Sequence, residues 1–109
     1  MPEFSDKLLE SIKLTLRQSG VKTVFDEEIK DYITVAADDL KDAGILASYF
    51  VVSGDNWKPD SRIKQAIRWY CLSVFGLYNA DMEKYLAAYN SLKATMCTQR
   101  KYTEEKNGI

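Results

Sequence analysis

Ile63-Lys64-Gln65-Ala66-Ile67-Arg68-Trp69-Tyr70-Cys71-Leu72-Ser73-Val74-Phe75-Gly76 is the stretch that decides the fold. Stepping about 100° per residue from Ile63, Ala66, Ile67, Tyr70, Cys71, Val74 and Phe75 fall in one broad apolar stripe, which predicts a core-facing helix. Trp69 and Leu72 fall roughly opposite the centre of that stripe. The helix is therefore either buried on two sides or offers a large apolar pair to another molecule.

The same helical period recurs on both sides of this stretch. Ser5 is the expected cap of a first helix with Leu8, Leu9, Ile12 and Leu16 on one face, closed by Gly20. Thr23 and Asp26 form a capping-box-like pair before a second helix. There Asp26, Glu27 and Glu28 suit the positive end of the dipole, Ile29, Tyr32, Ile33, Ala36, Ala37 and Leu40 form the core stripe, and Gly44 is the stop. From Ile45 to Lys58 the period is lost. Tyr49-Phe50-Val51-Val52 has β-type residues and Ser53-Gly54-Asp55-Asn56 is turn chemistry, so a long loop is expected, open to one short strand. Pro59 fits the first turn of the third helix, with Asp60 or Ser61 as the other candidate caps, and Gly76 ends or kinks it. Asn79 or Asp81 opens a fourth helix with Met82, Tyr85, Leu86, Tyr89, Leu92 and Met96 in a narrow stripe. The reading is an all-α, compact bundle of about four helices: one domain over residues 1–97, then a flexible polar tail over 98–109.

Composition narrows the function. The chain has 109 residues, enough for a core without metal or disulfide staples. Fifteen Lys and Arg against sixteen Asp and Glu leave no general basic footprint for nucleic acid or an anionic membrane. The charge is nonetheless segregated. Residues 26–42 hold seven acids against Lys30 and Lys41, whereas residues 58–68 hold Lys58, Arg62, Lys64 and Arg68 against Asp60. No apolar run approaches the length of about 20 residues that spans a bilayer, so a soluble protein without membrane contact is expected. Cys71 and Cys97 have no CxxC spacing and read as free thiols from a reducing cytoplasm.

Catalysis finds no footing. The chain has no histidine, which removes Ser-His-Asp and Cys-His arrangements, and its five glycines stand apart, so no phosphate-cradling loop exists. Asp38, Asp39 and Asp42 crowd one helix surface, but metal ligands normally converge from several elements, and a solvated acidic face is the plainer reading. No enzyme activity, cofactor or metal is expected. Tyr70, Tyr78, Tyr85 and Tyr89 read as core tyrosines with hydroxyls at the rim rather than as a stacking platform for bases. Lys64 and Arg68, one turn apart with Arg62 on their flank, are placed to meet phosphate as a recognition helix would, although a helix-turn-helix wants a shorter connection than residues 45–58.

Three segments taken in order carry a resemblance: Leu9 to Arg17; Phe25-Asp26-Glu27-Glu28-Ile29 through Ala36-Ala37-Asp38-Asp39-Leu40 to Ala43-Gly44-Ile45; and Ile63 to Gly76 followed by Tyr85 to Leu92. From Leu9 to Leu92 they span about four-fifths of the chain, which resembles the head-tail connector (adaptor) proteins of tailed bacteriophages. The resemblance implies a helical domain, made in the host cytoplasm, that sits in the virion as a ring under the portal and forms part of the DNA conduit. It implies no catalysis and carries over no individual binding residue. Family members often have Asp-Pro at the start of the third helix, where this chain has Pro59-Asp60.

The charges also fit the ring that the resemblance implies, because a head-to-tail contact joins two different patches of one subunit and closes if the rotation allows, as a ring of about twelve copies on a portal would. The expected subunit interface sets Asp38, Asp39 and Asp42 across from Arg62, Lys64 or Arg68, with Trp69 and Leu72 as apolar contact. Arg100, Lys101 and Tyr102, in the polar tail, are the candidate docking residues for the portal or for the tail or stopper protein. DNA would slide through such a ring without sequence-specific contact. The alternative function is a small nucleic-acid-binding or regulatory module using the third helix, with salt-sensitive duplex binding.

Overall fold

The computed structural model describes residues 3–18, 20, 25–54, 56–75 and 82–104. It contains α1 (Phe4–Gln18), α2 (Asp26–Asp42), a 3₁₀ turn (Ala47–Phe50), α3 (Ser61–Phe75), α4 (Met82–Cys97) and a short α5 (Arg100–Thr103). The all-α expectation holds. Gly76, Asn79 and Asp81, expected to end α3 and open α4, lie outside the described residues, as does Thr23.

Helix α3 runs through the middle. It packs on α1, α2 and most extensively α4, and it buries Ile63, Ala66, Ile67 and Cys71 on its main stripe and Leu72 and Ser73 off it. Trp69 is partly buried against the same core. Of the two readings open for Trp69 and Leu72, two-sided burial is the one the structure adopts: Leu72 is only 7% exposed. Removing such a side chain from water stabilises the fold by about 1.5–3 kcal/mol.

The helix ends follow from local chemistry. Glu3 precedes α1, accepting the Asp6 and Lys7 amides on its carbonyl at 3.0 and 3.2 Å while its own N–H donates to the Asp6 carboxylate at 2.9 Å. This reciprocal arrangement resembles a capping box. Ser5, the expected cap, lies inside the helix and is buried. Helix α2 starts directly at its three acids. It ends in a Schellman arrangement: Gly44 has φ 117°, its N–H donates to the Lys41 carbonyl, and the Ile45 N–H donates to the Leu40 carbonyl at 3.1 Å. Leu40 and Ile45 are both buried, as the hydrophobic partner contact of this motif requires. At α3, Asp60 is the cap, its Oδ1 accepting the Arg62 and Ile63 amides at 3.0 and 3.3 Å. Pro59 stands before the cap rather than in the first turn.

Two expectations are corrected. No strand forms over Tyr49–Val52 among the described residues. An isolated extended segment has no ladder to satisfy its backbone, and the tight turn instead sends consecutive aromatics to different neighbours: Phe50 meets the Phe4 ring at 5.2 Å and Tyr49 meets the Tyr102 ring at 5.2 Å. The chain also does not become a flexible tail at residue 98. Tyr102 is fully buried, its hydroxyl donates to Asp60 Oδ1 at 2.9 Å, and its carbonyl accepts the Leu46 N–H at 2.8 Å. The flanking polar residues hid this single anchor. Residues 105–109 lie outside the described set.

Tyr102→Ala is expected to cost about 3–5 kcal/mol through the cavity it leaves, and Tyr102→Phe about 1 kcal/mol for the bond to Asp60. Urea unfolding followed by circular dichroism measures both; a Tyr102→Ala midpoint equal to wild type would show that the C-terminal segment does not hold the domain together.

Candidate assembly surface

The sequence places the acidic charge on α2, and the structure divides it. Asp39 faces the seam with α4, where its Oδ2 accepts the Tyr89 hydroxyl and lies 2.9 Å from Lys93 Nζ. The Tyr89 hydrogen bond, followed by Lys93, holds the Asp39 carboxyl below its ordinary value despite partial desolvation. Burial, reinforced by Asp39, pushes the Tyr89 hydroxyl well up. Asp39 therefore staples α4 to α2 within one subunit and is not a free interface charge. Asp38 is exposed and pairs with Lys41 at 3.2 Å. Asp42 is exposed and has no ion pair among the described residues, and the same is true of Glu28 and Asp31.

The basic segment is divided too. Arg68 turns into the seam with α1, donating to Gln65 Oε1 at 2.9 Å and Ser11 Oγ at 3.4 Å, with its buried Nε unpartnered. Lys64 is half-buried. Arg62 is exposed and donates to Gln99 Oε1 at 2.7 Å, which draws Arg62 toward the α5 segment. Arg100 and Lys101 are exposed on that segment, Arg100 near Glu104 at 3.6 Å and Lys101 over the Tyr102 ring at 4.8 Å. None of Lys58, Arg62, Lys64 and Arg68 forms an ion pair among the described residues.

Of the residues expected at a subunit boundary, Asp38, Asp42 and Arg62 are thus on the surface with charge to offer. Leu72 is buried, Trp69 is partly committed to the core, and Asp39 and Arg68 have partners inside the subunit. Tyr102 is a core residue rather than a docking residue, while Arg100 and Lys101 remain exposed beside it. Sequence periodicity could not separate these cases, because α3 is enclosed on several sides and its outer positions are also inner positions.

Apolar surface collects elsewhere. Only Tyr89 and Met96 of α4 are buried, leaving Met82 and Leu86 38% and 44% exposed. With Tyr32, Tyr70 and Val74 they line a groove of about 460 Å³ between α2, α3 and α4. The expected core role fits Tyr70 and Tyr89, whose rings meet at 5.2 Å; Tyr78 lies outside the described residues. Cys71 is buried, and desolvation pushes its thiol up to about 12. No group of His, Cys, Asp and Glu among the described residues could hold a metal ion, and no described helix is long and apolar enough to cross a membrane.

This is a small helical domain whose exposed chemistry is charge and apolar surface. The sequence matches the family model described as phage connector protein over residues 8–103, and the chain belongs to that family of structural phage proteins. The matched span runs through α5, in keeping with the burial of Tyr102. Comparison with curated proteins and with solved structures gives no match.

Because the Asp39 carboxyl is depressed in the folded state, its stabilising effect is full above the unfolded carboxylate range near pH 4 and is lost as pH falls through the lower folded value. Asp39→Ala is expected to cost about 1–2 kcal/mol at pH 7, with the difference from wild type shrinking below about pH 4. Urea unfolding as a function of pH tests this, and a pH-independent difference would contradict the ionic staple.

Proposed function

We propose that this connector protein is an adaptor subunit. Copies of it form a head-to-tail ring of about twelve on the portal, receive the tail or stopper protein on the far side, and complete the DNA conduit of the filled head. The observation that carries this reading is membership of the phage connector family over nearly the whole described domain. The separation of unpaired acids on α2 from unpaired bases around the start of α3 supports it. A head-to-tail contact needs two unlike patches on one subunit, and opposite charge steers them together.

The recognition-helix alternative finds less support. A helix that enters a major groove must present one whole face to the duplex. Helix α3 is instead covered by α1, α2 and α4, and Arg68 spends its guanidinium on Gln65 and Ser11. DNA passing through a ring requires no such face.

Quantitative mass spectrometry of purified virions from the source phage tests the adaptor reading. About one copy per portal subunit is expected; absence of the chain from complete virions would overturn it.

A further inference from the structure

Five positions on α2 are exposed and follow one another at intervals of three, four, three and four residues: Glu28, Asp31, Val35, Asp38 and Asp42. That spacing keeps them on a single face for about 21 Å of helix. Val35 stands in its middle, 48% exposed. Only Asp38 among the four acids has an ion pair within the described residues. A face of this kind leaves three like charges and an apolar side chain without an ion-pair or core partner among the described residues, while the opposite face of the same helix holds the core.

A second surface on the chain has the complementary character. Lys58, Arg62, Arg100 and Lys101 are all exposed, and three contacts draw their segments together: Arg62 to Gln99 at 2.7 Å, Tyr102 to Asp60 at 2.9 Å, and the Tyr49 hydroxyl to the Lys101 carbonyl. Among the described residues two acids fall within it, Asp60 and Glu104. Asp60 is spent on the α3 cap and on Tyr102, and Glu104 answers Arg100 alone. Val51, two residues beyond Tyr49, is 61% exposed. Among the described residues the first surface is therefore acidic and the second predominantly basic.

Resting on the adaptor-ring reading, we propose that the Glu28, Asp31, Val35, Asp38 and Asp42 face of α2 docks onto the Lys58, Arg62, Arg100 and Lys101 surface of a second copy of this chain. Self-pairing of either surface would set like charges opposite one another, which is unfavourable. The contact is therefore between unlike surfaces, and each copy has one of each left to offer, the condition for a ring. Asp38, Asp42 and Arg62 keep the role the sequence suggested for them. The charges on Asp39 and Arg68 do not take part, having partners inside the subunit.

The test is a charge swap in virions of the source phage, reading copies of this chain per portal by quantitative mass spectrometry and tail attachment by electron microscopy. Asp31→Lys with Asp42→Lys places bases on both sides of the contact, and Lys58→Glu with Lys101→Glu places acids on both sides. Each pair alone is expected to lower incorporation at least about fivefold, and all four substitutions in one chain are expected to restore it. These positions are exposed, so far-UV circular dichroism and thermal midpoints should stay at wild type. Unchanged incorporation in either pair would overturn the proposal. So would a loss that the fourfold variant does not repair, which would assign these faces to the portal or tail protein. Absence of even the wild-type chain from virions would overturn the adaptor reading itself, a result distinct from both.

Discussion

A fifteen-residue helix whose buried side chains point in opposing directions has to be enclosed by its neighbours, and α3 imposes that requirement on the whole chain. Ile63, Ile67 and Cys71 need cover on one side and Leu72 on another. A two-helix hairpin could satisfy only one of these. Helices α1 and α2 therefore pack on α3 together, and α4 covers much of the rest. Two polar ties complete the enclosure. Asp39 holds Tyr89 and Lys93 of α4 to α2, and Asp60 holds Tyr102 to the start of α3. Each tie uses a carboxylate to satisfy the hydroxyl of a buried tyrosine, which would otherwise be left unmet at a cost of about 1–3 kcal/mol.

Enclosing α3 determines what is left for the outside. Its own bases are partly absorbed into seams, as Arg68 is, and its cysteine is sealed from reagents. Charge available to another molecule is displaced to the outer face of α2 and to the junction of the α3 start with α5. The first half of α4 buries little and leaves Met82 and Leu86 beside the groove that Tyr32, Tyr70 and Val74 line. A domain that uses most of its central helix for cohesion has its periphery free for assembly, which suits a connector protein.

Much of this was legible in the sequence because amphipathic period, glycine stops and acidic first turns act locally. Ile29, Ile33, Ala36 and Leu40 define the buried side of α2, and Gly44 closes it as a residue with positive φ is expected to. The lost features are nonlocal. Tyr102 sits in a polar stretch, and only its distant contacts with Asp60, Leu46 and Tyr49 explain its burial. Asp38 and Asp39 look alike in the chain, yet one helical step of about 100° puts one in solvent and the other against Tyr89. Leu72 shows the same limit: a position opposite a stripe is exposed on a helix packed on one side and buried on a helix packed on several. The β-type run Tyr49–Val52 misled because its aromatics are anchored by tertiary contacts, which override strand propensity.

The central claim is that segregated surface charge joins copies of this domain within the virion. A cryo-electron microscopy reconstruction of the head-tail junction of the source phage tests it most directly, at a resolution that traces helices. The expected map has this fold repeated around the conduit, with α2 of each copy against the α3 start and α5 of the next. A junction without this fold, or a ring whose copies meet through other faces while the outer side of α2 stays in solvent, would contradict it.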